Sequence, residues 1–372
     1  MRTMKQAYVE RVGALTFREL PVPEPGPGEI VVRIHTALTC GTDIKTFRRG
    51  HAVLKVPGPL GHEASGIVEA VGEGVTKFAP GDAVMWAPTA PCRRCDACAR
   101  GLYNHCETLF ENIAMGAYAD YILLPAHIVA QHVFHKPEHL PFEEAALMEP
   151  LACILRGWRR LGAFANGYDT AKDTALAMDD ARSRARRGGI DSVLIIGVGA
   201  IGLLHVAVAR ALGVPQITAV GGRESGLELA RRLGAQHVVQ GHVPAVNDEL
   251  QARGLAGADV VIECTGRPDV WAAAPQLARV GGQVLLFGGL AGGAEVAFSA
   301  RRIHYDEVTL LGSFHYTPDD VVEAQRLLAS GEMKLGGLIT GVRPLSELLQ
   351  AFEELERGEG VKFALRPEAS PA

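Results

Sequence analysis

The fold of the chain is decided by the stretch Ser192-Val-Leu-Ile-Ile-Gly197-Val198-Gly199-Ala200-Ile201-Gly202. An apolar strand runs into G-x-G-x-x-G, and the apolar segment 203–212 follows as a predicted helix. Gly197 permits a tight turn, Gly199 lets the backbone approach a pyrophosphate, and Gly202 allows close helix–strand packing. The helix N-terminus then faces the phosphates. The stretch predicts a doubly wound parallel α/β domain with cofactor contacts along 197–202. The alternative is a glycine-rich turn without a ligand.

The next predicted strand, 216–220, indicates which nicotinamide cofactor fits. An acid that binds the ribose 2′-hydroxyl of NAD is expected at its end, but the chain has Gly221-Gly222-Arg223. Glycine leaves room, and the guanidinium of Arg223 can pair with a 2′-phosphate, so NADP is favoured over NAD, with Gly222 and Arg223 as contacts. Glu224 would restore NAD binding if the turn placed it at the strand end. A merely solvated Arg223 is the other alternative.

Further buried strands continue this domain. Two of them, 258–263 and 282–287, are followed by small residues, among which Thr265 and Gly288 are expected on the far rim of the cofactor crevice. The strand 308–312 closes the domain. Beyond about 314, helices are predicted over 318–330 and 345–357, then a strand over 361–365. This tail is expected to return to the first domain.

Residues 1–155 read as a separate, β-rich domain. Short strands are predicted over 14–20, 29–35, 66–71 and 83–86, with Gly/Pro turns between them, which favours a compact barrel-like fold. A helix is predicted from Pro141 to Glu149, ending before Pro150. The predicted domains are therefore 1–155 with 314–372, and 156–313. An extra helix is expected within about 163–190, where acids precede arginines and glycines; a subunit contact is its alternative role.

A cysteine cluster in the first domain predicts a structural metal site. Its four residues follow the spacing C-x2-C-x2-C-x7-C: Cys92, Cys95, Cys98 and Cys106. Four thiolates on one loop can close a tetrahedron around Zn²⁺, which leaves no open position for chemistry. Unmetallated or disulfide-bonded cysteines are one alternative. An iron–sulfur cluster is another, although the long last gap and the absence of a following proline argue against it.

A second set of possible ligands has mixed chemistry. Cys40 begins Cys-Gly-Thr-Asp43, and His62 and Glu63 follow about twenty residues later. Mixed ligands that leave room for water favour a catalytic zinc rather than a structural one. Asp43 could hold the other ring nitrogen of the histidine, as carboxylates do around metal ligands. Glu149, a carboxylate after an apolar run, is a further candidate ligand; an ordinary helix-terminal glutamate is the alternative.

Composition excludes several classes of function. The chain has 372 residues and a net charge of −5, without a long block of like charge, so nucleic-acid and membrane-surface binding are not expected. No apolar run is long enough for a spanning helix, and no signal segment is evident at the N-terminus. A cytoplasmic location is expected, in which grouped cysteines bind metal rather than form disulfides.

Together these motifs resemble the zinc-containing medium-chain dehydrogenase/reductase family, closest to its sorbitol and threonine dehydrogenase branch. The resemblance covers nearly the whole chain and also includes Glu149-Pro-Leu and the ending Leu233-Gly-Ala. It implies a GroES-like catalytic domain, a Rossmann domain, two zinc ions per subunit, and homodimers or homotetramers. It also implies that Cys40 and His62 bind the catalytic zinc with Glu63 and Glu149, either of which can yield to water. One departure is Lys45, which stands where this branch usually has a histidine that moves a proton.

The expected reaction is hydride transfer between a nicotinamide cofactor and a secondary alcohol, polyol or the corresponding ketone. Zinc would stabilise the alkoxide, and the protein would position the cofactor. Thr42 is expected to receive the alcohol proton, with Lys45, His51 or the ribose hydroxyls completing the path. The alternative for Thr42 is a satisfied hydroxyl near a strand end, and for His51 it is a place on a solvated loop. A zinc-free quinone or enoyl reductase, and an inactive nucleotide-binding protein on this fold, remain as other functions.

Overall fold

A computed structural model describes residues 2–51, 53–163 and 189–368. It divides into two units, Met1–Ala152 with Tyr316–Ala372, and Cys153–His315. The extra helix predicted within 163–190 falls on residues 164–188, outside those described. Within the described ranges, none of the helices has the length and apolar character needed to cross a membrane.

The first unit begins with a run of short strands. Its elements to residue 145 are β1 (Thr3–Arg11), β2 (Ala14–Pro21), β3 (Ile30–Leu38), α1 (Gly41–Arg49), β4 (Gly58–Pro59), β5 (Ala64–Val71), β6 (Ala83–Trp86), α2 (Asp96–Ala99), β7 (Tyr121–Leu124), α3 (Ala126–His132), β8 (Val133–His135) and α4 (Phe142–Ala145). Strand β3 is buried along most of its length and pairs antiparallel with β5 and β7. A strand buried on both faces needs apolar residues in succession, as 30–32 provides.

The helix predicted from Pro141 to Glu149 is wrong in its extent. Helix α4 ends at Ala145, and a new helix, α5 (Met148–Arg160), contains Pro150 in its first turn. Proline is tolerated there because the first N–H groups of a helix have no intrahelical acceptor. Glu149 therefore lies at the beginning of a helix, where the helix dipole favours a carboxylate, and not at the end of one.

The second unit is a parallel sheet with helices between its strands. In chain order it contains β9 (Ser192–Ile196), α6 (Ala200–Ala211), β10 (Gln216–Gly221), α7 (Glu224–Leu233), β11 (His237–Gln240), α8 (Asn247–Ala252), β12 (Ala258–Glu263), α9 (Pro268–Ala273), β13 (Ala278–Leu286), α10 (Ala300–His304) and β14 (Thr309–Gly312). The strand order is β11-β10-β9-β12-β13-β14. The order reverses at β9, and in such sheets the crevice beyond the carboxyl ends of the strands at this point binds nucleotides.

The chain after residue 316 belongs to the first unit. It forms α11 (Pro318–Ser330), β15 (Ile339–Pro344), α12 (Leu348–Arg357) and β16 (Lys362–Arg366), which includes the two helices and the strand predicted from sequence. Strand β16 pairs antiparallel with the end of β3 and parallel with β15. The first unit thus has one sheet in the order β15-β16-β3-β5-β6-β8, with β7 on β3, and a second in the order β2-β1-β4.

Candidate metal sites and nucleotide cavity

Cys40 lies between β3 and α1, at the N-cap position of the helix. Its backbone is extended (φ −128°, ψ 141°), and its sulfur accepts a hydrogen bond from the N–H of Thr42 at 3.4 Å. The N-terminus of a helix attracts negative charge, which suits an anionic sulfur ligand. Helix α1 therefore fixes the position of the first candidate ligand.

His62 and Glu63 reach the same place through an unusual turn. Gly61 has a φ of +94°, and a Cβ atom at this position would lie 2.7 Å from the backbone nitrogen of Tyr118. Only glycine meets both demands. The turn brings one ligand atom of each of three residues, Cys40, His62 and Glu63, to within 4.8 Å of the others.

A buried carboxylate orients the histidine. Asp43 accepts hydrogen bonds from the Tyr118 hydroxyl (2.8 Å) and the Gly61 N–H (3.3 Å), and its Oδ1 lies 3.2 Å from Nδ1 of His62. Since Nδ1–H donates to Asp43, the lone pair of Nε2 is available for a metal. Burial disfavours the imidazolium, but Asp43 and Cys40 outweigh it and raise the pKa of His62 well above its usual value. The surroundings thus strongly favour a cation, as a zinc site requires.

Glu63 has a cationic partner from the far end of the chain. The ammonium of Lys362 on β16 contacts Oε2 of Glu63 and donates to the carbonyl oxygen of Thr39 at 3.0 Å. The two charged side chains are 3% and 1% exposed. Burial lowers the pKa of Lys362, but Glu63 and Cys40 more than offset this effect, and the net shift is upward. Glu63 therefore takes part both in a buried ion pair and in the cluster of candidate ligands.

Glu149 is not in the cluster that the other three ligand candidates form. It is 8% exposed, and its charge contributes to the raised pKa of Lys362. Glu149 is thus close enough to Lys362 to interact electrostatically. Its predicted role as a ligand, directly or through water, stays a prediction.

The predicted proton path begins at Thr42, which is half-buried beside Cys40, whereas Lys45 is exposed. Nδ1 of His51 accepts the N–H groups of Val53 and Leu54, both at 3.2 Å. The ring nitrogen that could receive a proton is therefore already hydrogen-bonded. Burial lowers the pKa of His51, and the nearby positive charges add to this effect. The geometry favours a structural role for His51 over proton transfer.

The four-cysteine loop forms a compact sulfur cluster. One sulfur from each of Cys92, Cys95, Cys98 and Cys106 lies within 4.8 Å of the others. No disulfide links any of the chain's seven cysteines, all of which lie in the described ranges. A hydrogen bond from the Arg94 backbone lowers the pKa of Cys92 to about 6, whereas burial raises the pKa of Cys98 to about 12. A cation among the sulfurs would stabilise the thiolate of each, so the cluster fits the predicted structural zinc.

The glycines of the G-x-G-x-x-G turn have the conformations that the motif requires. Gly197 has a φ of +112°, and a Cβ on Gly202 would lie 1.8 Å from the carbonyl oxygen of Gly197. Helix α6 begins immediately after its N-cap, Gly199. The N-terminus of this twelve-residue helix therefore faces the edge of the sheet where a pyrophosphate would bind.

A cavity of about 340 Å³ lies beside this turn. Of the predicted cofactor contacts, it is lined by Gly197, Val198, Gly222, Arg223 and Thr265. Gly199, Ala200, Ile201, Gly202 and Gly288 do not line it. Gly288 instead packs behind it, where a Cβ would lie 2.3 Å from the backbone nitrogen of Gly266.

Glu224, the acid that would favour NAD, is directed along its own helix. It pairs with Arg231 at 3.0 Å on the exposed side of α7 and does not line the cavity. Arg223, at the N-cap of the same helix, does line it. Two residues that sequence reasoning did not select, His242 and Arg267, are the other basic residues of the cavity. They lie on separate loops, and no motif marked them.

Comparisons with known proteins agree with this arrangement. Residues 26–136 match the Alcohol dehydrogenase GroES-like domain, and residues 200–330 match the Zinc-binding dehydrogenase family. Probable D-xylulose reductase A of Aspergillus clavatus is 33% identical over 366 residues, which cover 95% of this chain and 94% of that protein. This chain belongs to the zinc-type medium-chain alcohol dehydrogenase family.

Other members of the medium-chain family are similarly close. Sorbitol dehydrogenase of Gallus gallus is 32% identical, over 96% of this chain and 95% of the relative. A protein from Sinorhizobium meliloti, described as a zinc-binding dehydrogenase and bound to NADP, is 30% identical with a TM-score of 0.84, over 99% of this chain and 100% of that one. The predicted family, the GroES-like and Rossmann fold class, and the assignment as an alcohol or polyol oxidoreductase are confirmed.

Sequence reasoning missed two side chains that contact the candidate metal cluster. Tyr118, which donates to Asp43, has no local motif around it. Lys362 begins the predicted last strand, and a lysine within the apolar run Val-Lys-Phe-Ala-Leu was the only available signal. A buried lysine needs an anionic partner, so this pattern could have suggested a carboxylate nearby.

Proposed function

We propose that this protein is a zinc-dependent, NADP-preferring dehydrogenase that interconverts a secondary alcohol of a polyol and the corresponding ketone. The main support for this proposal is the cluster of Cys40, His62 and Glu63, in which Asp43 is hydrogen-bonded to Nδ1 of His62. Zinc at this site supplies a Lewis acid that favours the alkoxide form of the substrate. The names of the relatives, a xylulose reductase and a sorbitol dehydrogenase, support polyols as the substrate class.

The chain's own residues hold the reactants in this proposal. The thiolate of Cys40, Nε2 of His62 and a carboxylate oxygen of Glu63 would hold the metal, with Glu149 as a further ligand, directly or through water. Oγ1 of Thr42 receives the hydroxyl proton of the alcohol. The bound nicotinamide would supply the acceptor for the hydride of the carbinol carbon. Lys45 or the ribose hydroxyls carry the proton onward.

The cofactor preference is supported by the end of β10. Gly221-Gly222-Arg223 offers a cation and no carboxylate, and Glu224 pairs with Arg231. The relative from Sinorhizobium meliloti binds NADP. We therefore propose that KM is lower for NADP⁺ than for NAD⁺.

Elemental analysis with turnover tests the proposal. Zinc per subunit is measured before and after mild chelation, and activity is followed on a polyol panel with NADP⁺ and NAD⁺. Two zinc ions, with turnover lost together with the more labile one, support the proposal. One zinc and no turnover on any polyol would contradict it.

One variant and two further measurements complete this test. Thr42→Val should lower kcat by about 10²-fold while zinc content stays constant, because it removes the group that accepts the proton. An unchanged kcat would exclude Thr42 from the path.

Light scattering tests the proposed homodimer or homotetramer. Cell fractionation tests the proposed cytoplasmic location.

A further inference from the structure

Strand β10 ends at Gly221, which is followed by a second glycine, Gly222. The space that their side chains would need is occupied by Val198 and His242. A Cβ atom on Gly221 would lie 2.3 Å from Cγ2 of Val198. A Cβ atom on Gly222 would lie 2.5 Å from Nε2 and 2.6 Å from Cε1 of His242. The imidazole of His242 thus lies where the side chain of residue 222 would otherwise stand. A side chain at residue 222 would displace this imidazole from its present position.

The ring of His242 faces a cavity with basic and no acidic lining. Besides His242, the charged residues that line the cavity of about 340 Å³ are Arg223 and Arg267. Arg267 already forms a two-point ion pair with Asp269, at 2.8 and 3.1 Å. His242 and Arg223 are the two basic residues that line the cavity beside Gly222, where either can donate to an anion.

We propose that His242 is a specificity-determining residue that binds a phosphate on the 2′-oxygen of the adenosine ribose. The inference rests on the proposed NADP preference and deepens it. An imidazole N–H donates to a phosphate oxygen in a charge-assisted hydrogen bond, and Arg223 contributes the second cation. A ribose hydroxyl, as in NAD, gains much less from the same donor. Gly222 acts as a positioning residue, since its missing side chain gives the imidazole its place.

Calorimetry on the zinc-loaded, full-length protein tests the inference without turnover. The probes are adenosine 2′,5′-bisphosphate and adenosine 5′-monophosphate, which differ only in the 2′-phosphate. His242→Ala should weaken binding of the bisphosphate roughly tenfold, the lower range for a hydrogen bond to a charged group. Binding of the monophosphate should change less than about twofold, the usual spread between independent sites. His242→Gln should recover part of the loss, because the amide donates without charge.

Gly222→Ala tests the steric link between the two residues. Gly222 has no positive φ, so alanine leaves the backbone unstrained, but its Cβ displaces the imidazole. The expected loss of bisphosphate affinity matches that of His242→Ala. In the double variant the second substitution should add less than about twofold, because the imidazole is already gone. A merely structural role of either residue would give additive losses for both nucleotides.

Each other outcome overturns a defined part of the reasoning. Wild-type protein without a preference for the bisphosphate overturns the proposed NADP preference, and the inference with it. A preference that survives His242→Ala but is lost in Arg223→Ala leaves the proposed cofactor intact and overturns the role of His242. Equal weakening of both nucleotides by His242→Ala would mean that the ring packs on adenosine, which also overturns the inference.

Discussion

Replacing Lys362 with methionine tests the buried ion pair that ties strand β16 to Glu63. Methionine keeps most of the volume of the lysine side chain but removes its charge and its hydrogen bond to the Thr39 carbonyl. The carboxylate of Glu63, 1% exposed, is then left in the interior without its cation. Water cannot reach the carboxylate to compensate, so the substitution exposes the desolvation cost that the pair normally offsets.

The magnitude follows from the burial of both partners. Breaking a buried ion pair from one side costs about 3–5 kcal/mol of unfolding free energy. Removing both charges, in Lys362→Met with Glu63→Gln, should restore the unfolding free energy to within about 2 kcal/mol of wild type, because no uncompensated charge remains. The interaction between the two substitutions is therefore at least about 1 kcal/mol, within the range found for contacting residues. Bound zinc should reduce the cost of the single variant, since a cation beside Glu63 replaces the ammonium.

Urea unfolding of the chelated protein, followed by tryptophan fluorescence, measures these differences. Lys334→Met is the matched control, because Lys334 is an exposed lysine of the same unit. Its unfolding free energy should stay within about 0.5 kcal/mol of wild type. A loss below about 1 kcal/mol for Lys362→Met, or a double variant as unstable as the single, would refute the reasoning about a buried, charged pair.

Three further predictions concern separate parts of the first unit. Gly61→Ala should lower the unfolding free energy by about 1–3 kcal/mol and reduce the zinc content, because a Cβ would lie 2.7 Å from the backbone nitrogen of Tyr118 and the φ of this residue is positive. Urea unfolding measures the first effect and elemental analysis the second. Unchanged values would contradict the turn geometry. Burial lowers the pKa of His132 to about 4, so the folded protein keeps the ring neutral while the unfolded chain takes up a proton below about 6.5. The unfolding free energy should therefore decrease as the pH is lowered from about 6.5 to 4, and should be about 2 kcal/mol smaller at pH 5 than at pH 7.5. Urea titrations at these two pH values should show a smaller difference for His132→Gln. Cys92→Ser should remove about one zinc per subunit while the other stays, and elemental analysis showing both ions retained would contradict the four-sulfur site.

Motifs with short spacing were predictable because their geometry is local. The four cysteines fall within residues 92–106, and the dinucleotide turn within 197–202, so each set is brought together by one loop or turn. The partnership of Asp43 with His62 was also predictable, because metal-bound histidines commonly need a carboxylate. The position of Glu149 was not predictable in this way. Pro150 was expected to follow the end of a helix, whereas it lies in the first turn of α5.

Helix α1 was missed because its start has weak signals. Its N-cap is Cys40, which is not among the usual capping residues, and its first residue is Gly41, a poor helix former. Contacts between residues that are far apart in the sequence could not be predicted from local sequence patterns. Lys362 and Glu63 are 299 positions apart, and only the pairing of β16 with β3 brings them together.

The ion pair between Glu63 and Lys362 also bears on the order in which the protein is built. At synthesis rates of about 5–20 residues per second, the 299 positions between them correspond to roughly 15–60 s of translation. All six strands of the parallel sheet are made within that interval, so the nucleotide-binding unit can fold first. The carboxylate of Glu63 lacks its cationic partner until translation reaches residue 362. A ribosome that stalls between residues 316 and 362 therefore leaves a nascent chain whose second unit is synthesised and whose candidate metal cluster lacks the positive charge of Lys362.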